Sequence, residues 1–535
     1  MSMQRAGKIR QLALLIAAAL TLGAPQALDA ALVNDALVCP PAEIELSPTT
    51  HLRSISLDLR GVAPTVAEYK AVADLGEVPD QLIEEWLASP EFQARAVRYH
   101  RSLLWHNLSN LDLFGNRAKL RKTGGLYNNG NRATNYRGLR NQVCLNEPVQ
   151  YDDDGNIVTF EEVKEDGTIV HREGFVWVNP YWAPETTIKV CAFDAQEAAT
   201  SPSGKNCSTN SGASDIGCGC GPNLRHCSYG SINKTILDSM SEDVDRRVAD
   251  NIAANKPYTE LLTGKTMWVN GPLSHYLRYH RGVTSGLSSN PLAMHESQIP
   301  VIGYPEKNTW VAVQLGDHHS GVLTSPAFLL RFQTNRARAN RYFNSFLCQP
   351  FQPAPGGIPA STDEEAKETD LQERHGCKYC HALLEPSASF WGRWRPSGAG
   401  YFTTDAYPMF REDCYNCAVK GSGCSSYCRN NYITKALAPS EKEYFGYYKS
   451  YLHQREQHME NVEEGPALLV QRTLVDDRLP MCTSRQAGQW LLGRELLPQE
   501  QGWIVERSHD FITSGLSFRA LVRSIVTSEM YRRVR

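Results

Sequence analysis

Cys377-Lys378-Tyr379-Cys380-His381 is the stretch on which the reading of the whole chain turns. Two thiols separated by two residues can reach the two vinyl groups of one haem, and a histidine directly after them can reach the iron. With 15 cysteines and 15 histidines in 535 residues, such a string arises by chance on the order of once in a hundred sequences. For these five residues alone, a disulfide pair or half of a zinc site with His381 unused would also fit. The surroundings favour haem c: Cys377 and Cys380 as covalent anchors and His381 as the proximal ligand of the iron.

The first surrounding feature is the N-terminus. Arg5, Lys8 and Arg10 precede the apolar run Leu12–Leu22, and small residues follow to Ala31. This is the pattern of a secretory signal peptide, taken as residues 1–30. The run is short for a membrane span, and no other segment is long and apolar enough to cross a bilayer. Export to the periplasm, the medium or the cell surface is expected, where thiols oxidise and haem c is attached. The net charge of −3 and the lack of any sustained Lys/Arg patch exclude a nucleic-acid binder.

Outward from the motif, the pattern is mainly α: a multi-domain helical scaffold with a small β-hairpin, Cys-rich loops and a cytochrome c-like haem segment. Residues 31–110 read as an N-terminal helical domain. Thr65 with Glu68 is a capping box opening a helix through Leu75. Asp80 caps the next helix, and Ser89-Pro90 starts a third that runs to Leu108. His100 and His106 on it fit hydrogen bonding within a helix bundle better than iron ligation. Residues 111–232 are an irregular, Cys-rich insertion with a hairpin, Ile157–Val163 and Thr168–Val178, around Asp166-Gly167. Asp152, Asp154, Gly155 and Glu161 have partial EF-hand spacing, but Gln150 stands at the first ligand position, so a polar turn is expected. Residues 233–350 form a middle helical domain. The Pro/Gly-rich run Gln349–Pro359 leads into residues 351–430, the haem-binding segment. Residues 431–535 form a C-terminal helical domain, with Thr483 and Gln486 capping one helix and Ser517 starting the last, Phe518–Val534.

Cysteines divide into groups. Cys144, Cys191, Cys207, Cys218, Cys220 and Cys227 allow three disulfides in any of fifteen pairings. Cys414, Cys417, Cys424 and Cys428 allow zinc or two disulfides, and an exported chain favours disulfides. Setting Cys377 and Cys380 aside leaves an odd number, and Cys39 is the one expected to stand apart.

Several stretches carry a family resemblance. They are Ser54–Gly61 with Ala63-Pro64-Thr65, Leu87–Phe92, Ile252–Leu262 with Val269-Asn270-Gly271, Gly321–Leu329 with Leu347-Cys348, the haem motif itself, and Cys482–Arg535. Together the chain resembles the large c-type cytochrome proteins of planctomycetes and myxobacteria. The resemblance implies an exported haem protein but supplies no reaction. Two departures stand out: the segment after His381 is shorter than usual, and the Cys191–Cys227 insertion is not general.

Function then turns on the sixth position of the iron. Met409, in Tyr407-Pro408-Met409, is the first distal candidate. Met481, His318, His319 and His375 are rivals. Trp391-Gly392-Arg393-Trp394-Arg395 suits either haem walls or ordinary packing. The main expectation is an electron-transfer cytochrome serving a redox partner protein or a small-molecule electron donor or acceptor. A peroxidase-like haem enzyme with an open iron and a disulfide-rich structural or binding protein without haem are the alternatives.

Overall fold

The computed structural model describes residues 44–280, 282, 295–352, 356–357, 367–434 and 439–534. The expected signal peptide, residues 1–30, and Cys39 lie outside them. Helix takes 48% and strand 10%, so the expectation of a mainly α protein holds. No helix among the described residues is long and apolar enough to cross a membrane.

Local signals set most helix starts. The first four longer helices are α1 (Pro48–Leu59), α2 (Val66–Leu75), α3 (Asp80–Ala88) and α4 (Pro90–Leu104). The α2 capping box is complete: Thr65 N donates to Glu68 Oε2 at 2.6 Å, and Glu68 N to Thr65 Oγ1 at 3.2 Å. Ser89 caps α4 through Phe92 N, with Pro90 at the first position. Two boundaries differ from expectation. Asp80 is the first residue of α3 and Pro79 occupies the cap position without a side-chain bond. α4 stops at Leu104, because Trp105 turns left-handed at φ 53°.

The remaining longer helices are α5 (Ile232–Ala253), α6 (Asn335–Phe346), α7 (Lys378–Ser389), α8 (Glu412–Lys420), α9 (Glu456–Val475), α10 (Arg478–Leu492), α11 (Gln501–Thr513) and α12 (Phe518–Val526). Thr483 and Gln486 lie inside α10, and the Thr483 hydroxyl donates to Leu479 O at 2.8 Å. Ser517 does cap α12. That helix ends early because Ser528 caps a second short helix, Glu529–Arg532, and its hydroxyl competes with helical pairing. Residues Arg533–Val534 then form a strand antiparallel to Ile44–Glu45.

One apolar core runs from Leu52 in α1 to Tyr531 near the other end and includes Leu384 and Ala388 of α7. The ends of the described chain meet in it. His51 Nε2 lies 2.9 Å from Val526 O, and Tyr531 donates to Asp58 at 2.5 Å. Arg523 of α12 pairs with Asp80 at 2.6 Å and Glu84 at 3.1 Å on α3.

The insertion has its own small apolar clusters. Phe160–Val163 and Ile169–Arg172 form the expected hairpin, with Gly167 at φ 81° in its turn. The second arm does not continue to Val178 in that pairing. Phe175–Val178 leaves to pair with Ile188–Cys191 in a separate four-stranded sheet. The departure falls at Gly174, where a Cβ would lie 2.6 Å from the backbone of Glu147 and Pro148. Only glycine allows so close an approach. Asp152 forms the polar turn, accepting from Asp154 N at 3.1 Å and Asn156 N at 2.7 Å.

Six disulfides are present among the described residues: Cys144–Cys191, Cys207–Cys218, Cys220–Cys227, Cys348–Cys482, Cys414–Cys428 and Cys417–Cys424. The first three choose one of the fifteen pairings. Cys348–Cys482 was not anticipated from the sequence and closes a separation of 134 residues.

Buried histidines make the fold acid-sensitive. His100 bridges Ala96 O at 2.7 Å and the Tyr258 hydroxyl at 3.0 Å. Burial pulls its pKa from 6.5 to about 4. The histidine is neutral in the folded state, while the unfolded chain gains a proton once the pH falls below 6.5. The unfolded state therefore binds more protons between 6.5 and about 4, and stability falls as pH drops through that window. His100 alone accounts for about 3 kcal/mol across it. His226 and His458, both held down to about 4 mainly by burial, act in the same direction. Urea midpoints measured from pH 7 to pH 4 are expected to fall steeply, and less steeply in His100→Gln. An unchanged pH slope in that variant would contradict the assignment.

Candidate functional site

The motif occupies the start of α7. Cys377 is its N-cap, and Cys380, His381 and Leu384 follow at helical spacing on the same side. Leu384 is buried in the core and anchors that side. Lys378 and Tyr379 face solvent. Cys377 and Cys380 are the two unpaired cysteines among the described residues, and both are partly exposed. The twelve others are joined in the six disulfides. The Cys380 thiol donates to Gln352 O at 2.8 Å.

His381 is one-fifth exposed, and its Nδ1 lies 2.5 Å from Glu385 Oε1, one turn along α7. Glu385 is buried at 3% exposure and also receives Arg336 Nε of α6 at 2.7 Å. Its carboxylate is thus fixed from two helices. Behind it lies Tyr451, with the Arg336 guanidinium 5.6 Å from its ring. Burial, followed by the Glu385 charge, pushes the Tyr451 hydroxyl up to about 12. His458 of α9 sits 6.1 Å from the Tyr451 ring, fully buried, with neither ring nitrogen hydrogen-bonded.

These residues fit a haem c. Covalent attachment needs two reduced, reachable thiols and an adjacent imidazole with one nitrogen free. The Glu385 bond engages Nδ1 and leaves Nε2 as the nitrogen for a metal. A zinc or disulfide role for the other cysteine cluster is decided by its pairing. Cys414 and Cys428 come together with Asp413, and Cys144 and Cys191 with Glu173, within 4.8 Å, but in each group the two sulfurs are bonded to each other.

The distal candidates are scattered. Met409 is half-buried in a satellite cluster with Cys414, Cys428, Tyr432 and Tyr448, and its carbonyl accepts from Tyr448 N at 2.8 Å. Met481 lies in the first turn of α10. His318 stacks on Tyr401 at 4.1 Å, and His319 is buried 5.2 Å from the Trp394 ring. His375 is exposed just before α7. Trp391 and Trp394 are core residues, Trp391 donating to Leu323 O at 2.9 Å. Arg393 is buried against Glu463 at 2.7 Å. Packing accounts for this segment. His106 likewise pairs with Asp245 at 2.9 Å.

Glu385 was missed in the sequence although its signal was there: four residues after His381 on a helix puts it on the same face. Arg336 had no such signal, because it arrives from α6. No family model, curated protein or solved structure matches this chain.

Proposed function

We propose that the protein is an exported mono-haem c-type cytochrome that carries electrons through a haem held by Cys377, Cys380 and His381. The observation behind this reading is the contrast among the cysteines. Among the described residues twelve cysteines are paired, and the two left as thiols are those of the CxxCH motif, set on the first turn of a helix beside an imidazole with Nδ1 engaged. In attachment, each S–H adds across one vinyl C=C: sulfur bonds to one carbon, the hydrogen goes to the other, and no atom is lost. The bound group supplies one-electron redox chemistry. Cys377, Cys380 and His381 would hold it at three points, with His381 oriented through Glu385. A redox protein or a small-molecule donor or acceptor is the partner. The disulfides suit an oxidising compartment.

A second reading, a haem enzyme with an open iron position, draws on Glu385. A carboxylate on the proximal histidine makes it more electron-donating, which suits peroxide or oxygen chemistry.

The test is to produce the full chain in a host with haem-c maturation and measure the intact mass and reduced spectrum. Covalent haem on the mature chain is expected, and a mass without haem would overturn the proposal. Carbon monoxide binding to the reduced protein separates the readings: none for a six-coordinate carrier, rapid binding for an open site.

A further inference from the structure

Resting on the haem reading above, we infer that Glu385 and Arg336 form a two-residue control on His381 that sets the redox balance of the iron. Glu385 is a positioning residue and has no part in attachment. Three observations converge on it. The carboxylate is buried, so its charge is poorly screened. It accepts from His381 Nδ1 at 2.5 Å, the contact through which electron density passes to the ligating nitrogen. Arg336 reaches the same oxygen, Oε1, at 2.7 Å from a different helix.

The two partners act in opposite senses. The carboxylate draws the Nδ1 proton toward itself and gives the ring more imidazolate character, which stabilises the ferric state. The guanidinium draws on the same oxygen and limits that effect. A backbone carbonyl, being neutral, could provide orientation but not this charge. Arg336 is 44% exposed while Glu385 is buried, so the limiting partner sits at the solvent edge of the pair. A docking partner or anion that engages Arg336 would weaken its hold on Glu385 and push the iron toward the ferric form.

The paired signs are what a purely structural role cannot reproduce. In Glu385→Gln, with covalent haem present, the ferric-to-ferrous balance is expected to move at least tenfold toward ferrous, a rise of about 59 mV for one electron. The iron–histidine stretching frequency of the reduced protein, read by resonance Raman on the form lacking a sixth ligand, is expected to fall. In Arg336→Met both readouts should move the other way. The wild-type protein must first show covalent haem, and its absence there would overturn the haem reading and this inference together. If wild type and variants carry haem but the potential and frequency stay unchanged, the inference fails and the haem reading stands. Should Glu385→Gln not fold, Arg336→Met decides alone: a lowered potential supports the control, and an unchanged one overturns it.

Discussion

Replacing Cys377 and Cys380 together with serine is expected to abolish covalent haem while leaving the six disulfides and the fold in place. The two thiols belong to no disulfide and are partly exposed. Serine is close to cysteine in size, and at Cys380 it can keep the hydrogen bond to Gln352 O now made at 2.8 Å. Stability should therefore change by less than about 1 kcal/mol, while haem content falls from stoichiometric to none in the intact mass. His381→Ala makes the companion measurement. It leaves both thioethers available but removes the proximal nitrogen, so the mass of the haem stays and the low-spin spectrum is lost. Retention of covalent haem in the double serine variant would rule out this motif as the attachment point.

The second large effect is on stability. Cys348 follows the end of α6 and Cys482 lies in α10, so their bond ties the helix carrying Arg336 to the C-terminal part of the core. It closes a separation of 134 residues, and that span contains α7 and the Cys414–Cys428 and Cys417–Cys424 pairs. Crosslinks over long spans constrain the unfolded chain most, and removing a native one costs about 2–5 kcal/mol. The double variant Cys348→Ala, Cys482→Ala is the one to make, since either single change would leave the partner cysteine as an extra free thiol. Its urea midpoint should drop accordingly. An unshifted midpoint would mean that the apolar packing of α6 against α10 holds without the crosslink.

The sequence told most where chemistry is local. Thr65 with Glu68, Ser89 with Pro90 and Ser517 each carry their own hydrogen-bonding instruction, and each starts a helix where expected. The motif cysteines and His381 stand out in the sequence because covalent haem attachment would demand their fixed spacing. Endings were harder. α4 ends because Trp105 adopts a left-handed backbone, and α12 ends because Ser528 offers a competing cap. Neither is evident from apolar periodicity. Pairings between distant segments were beyond reach: Cys348 with Cys482, Arg336 with Glu385, and the loss of Phe175–Val178 to another sheet depend on tertiary packing. The tryptophans around Gly392 illustrate the ambiguity of composition, since haem walls and core packing ask for the same residues, and here the core took them.

The meeting of the two ends of the described chain has a consequence for the order in which the molecule is made. His51 and Asp58 find their partners Val526 and Tyr531 475 and 473 residues later. Synthesis runs from the N-terminus, so the N-terminal helices wait for α12 and the residues after it. Residues 377–381 emerge on the order of ten seconds before Tyr531 does. The two motif thiols are thus presented on a chain whose core cannot yet close, which on the proposed haem reading would leave them open to attachment. Cys348 waits in the same interval for Cys482. Prompt capture of Cys377 and Cys380 would therefore also remove, as wrong partners for Cys348, the first two cysteines that follow it along the chain.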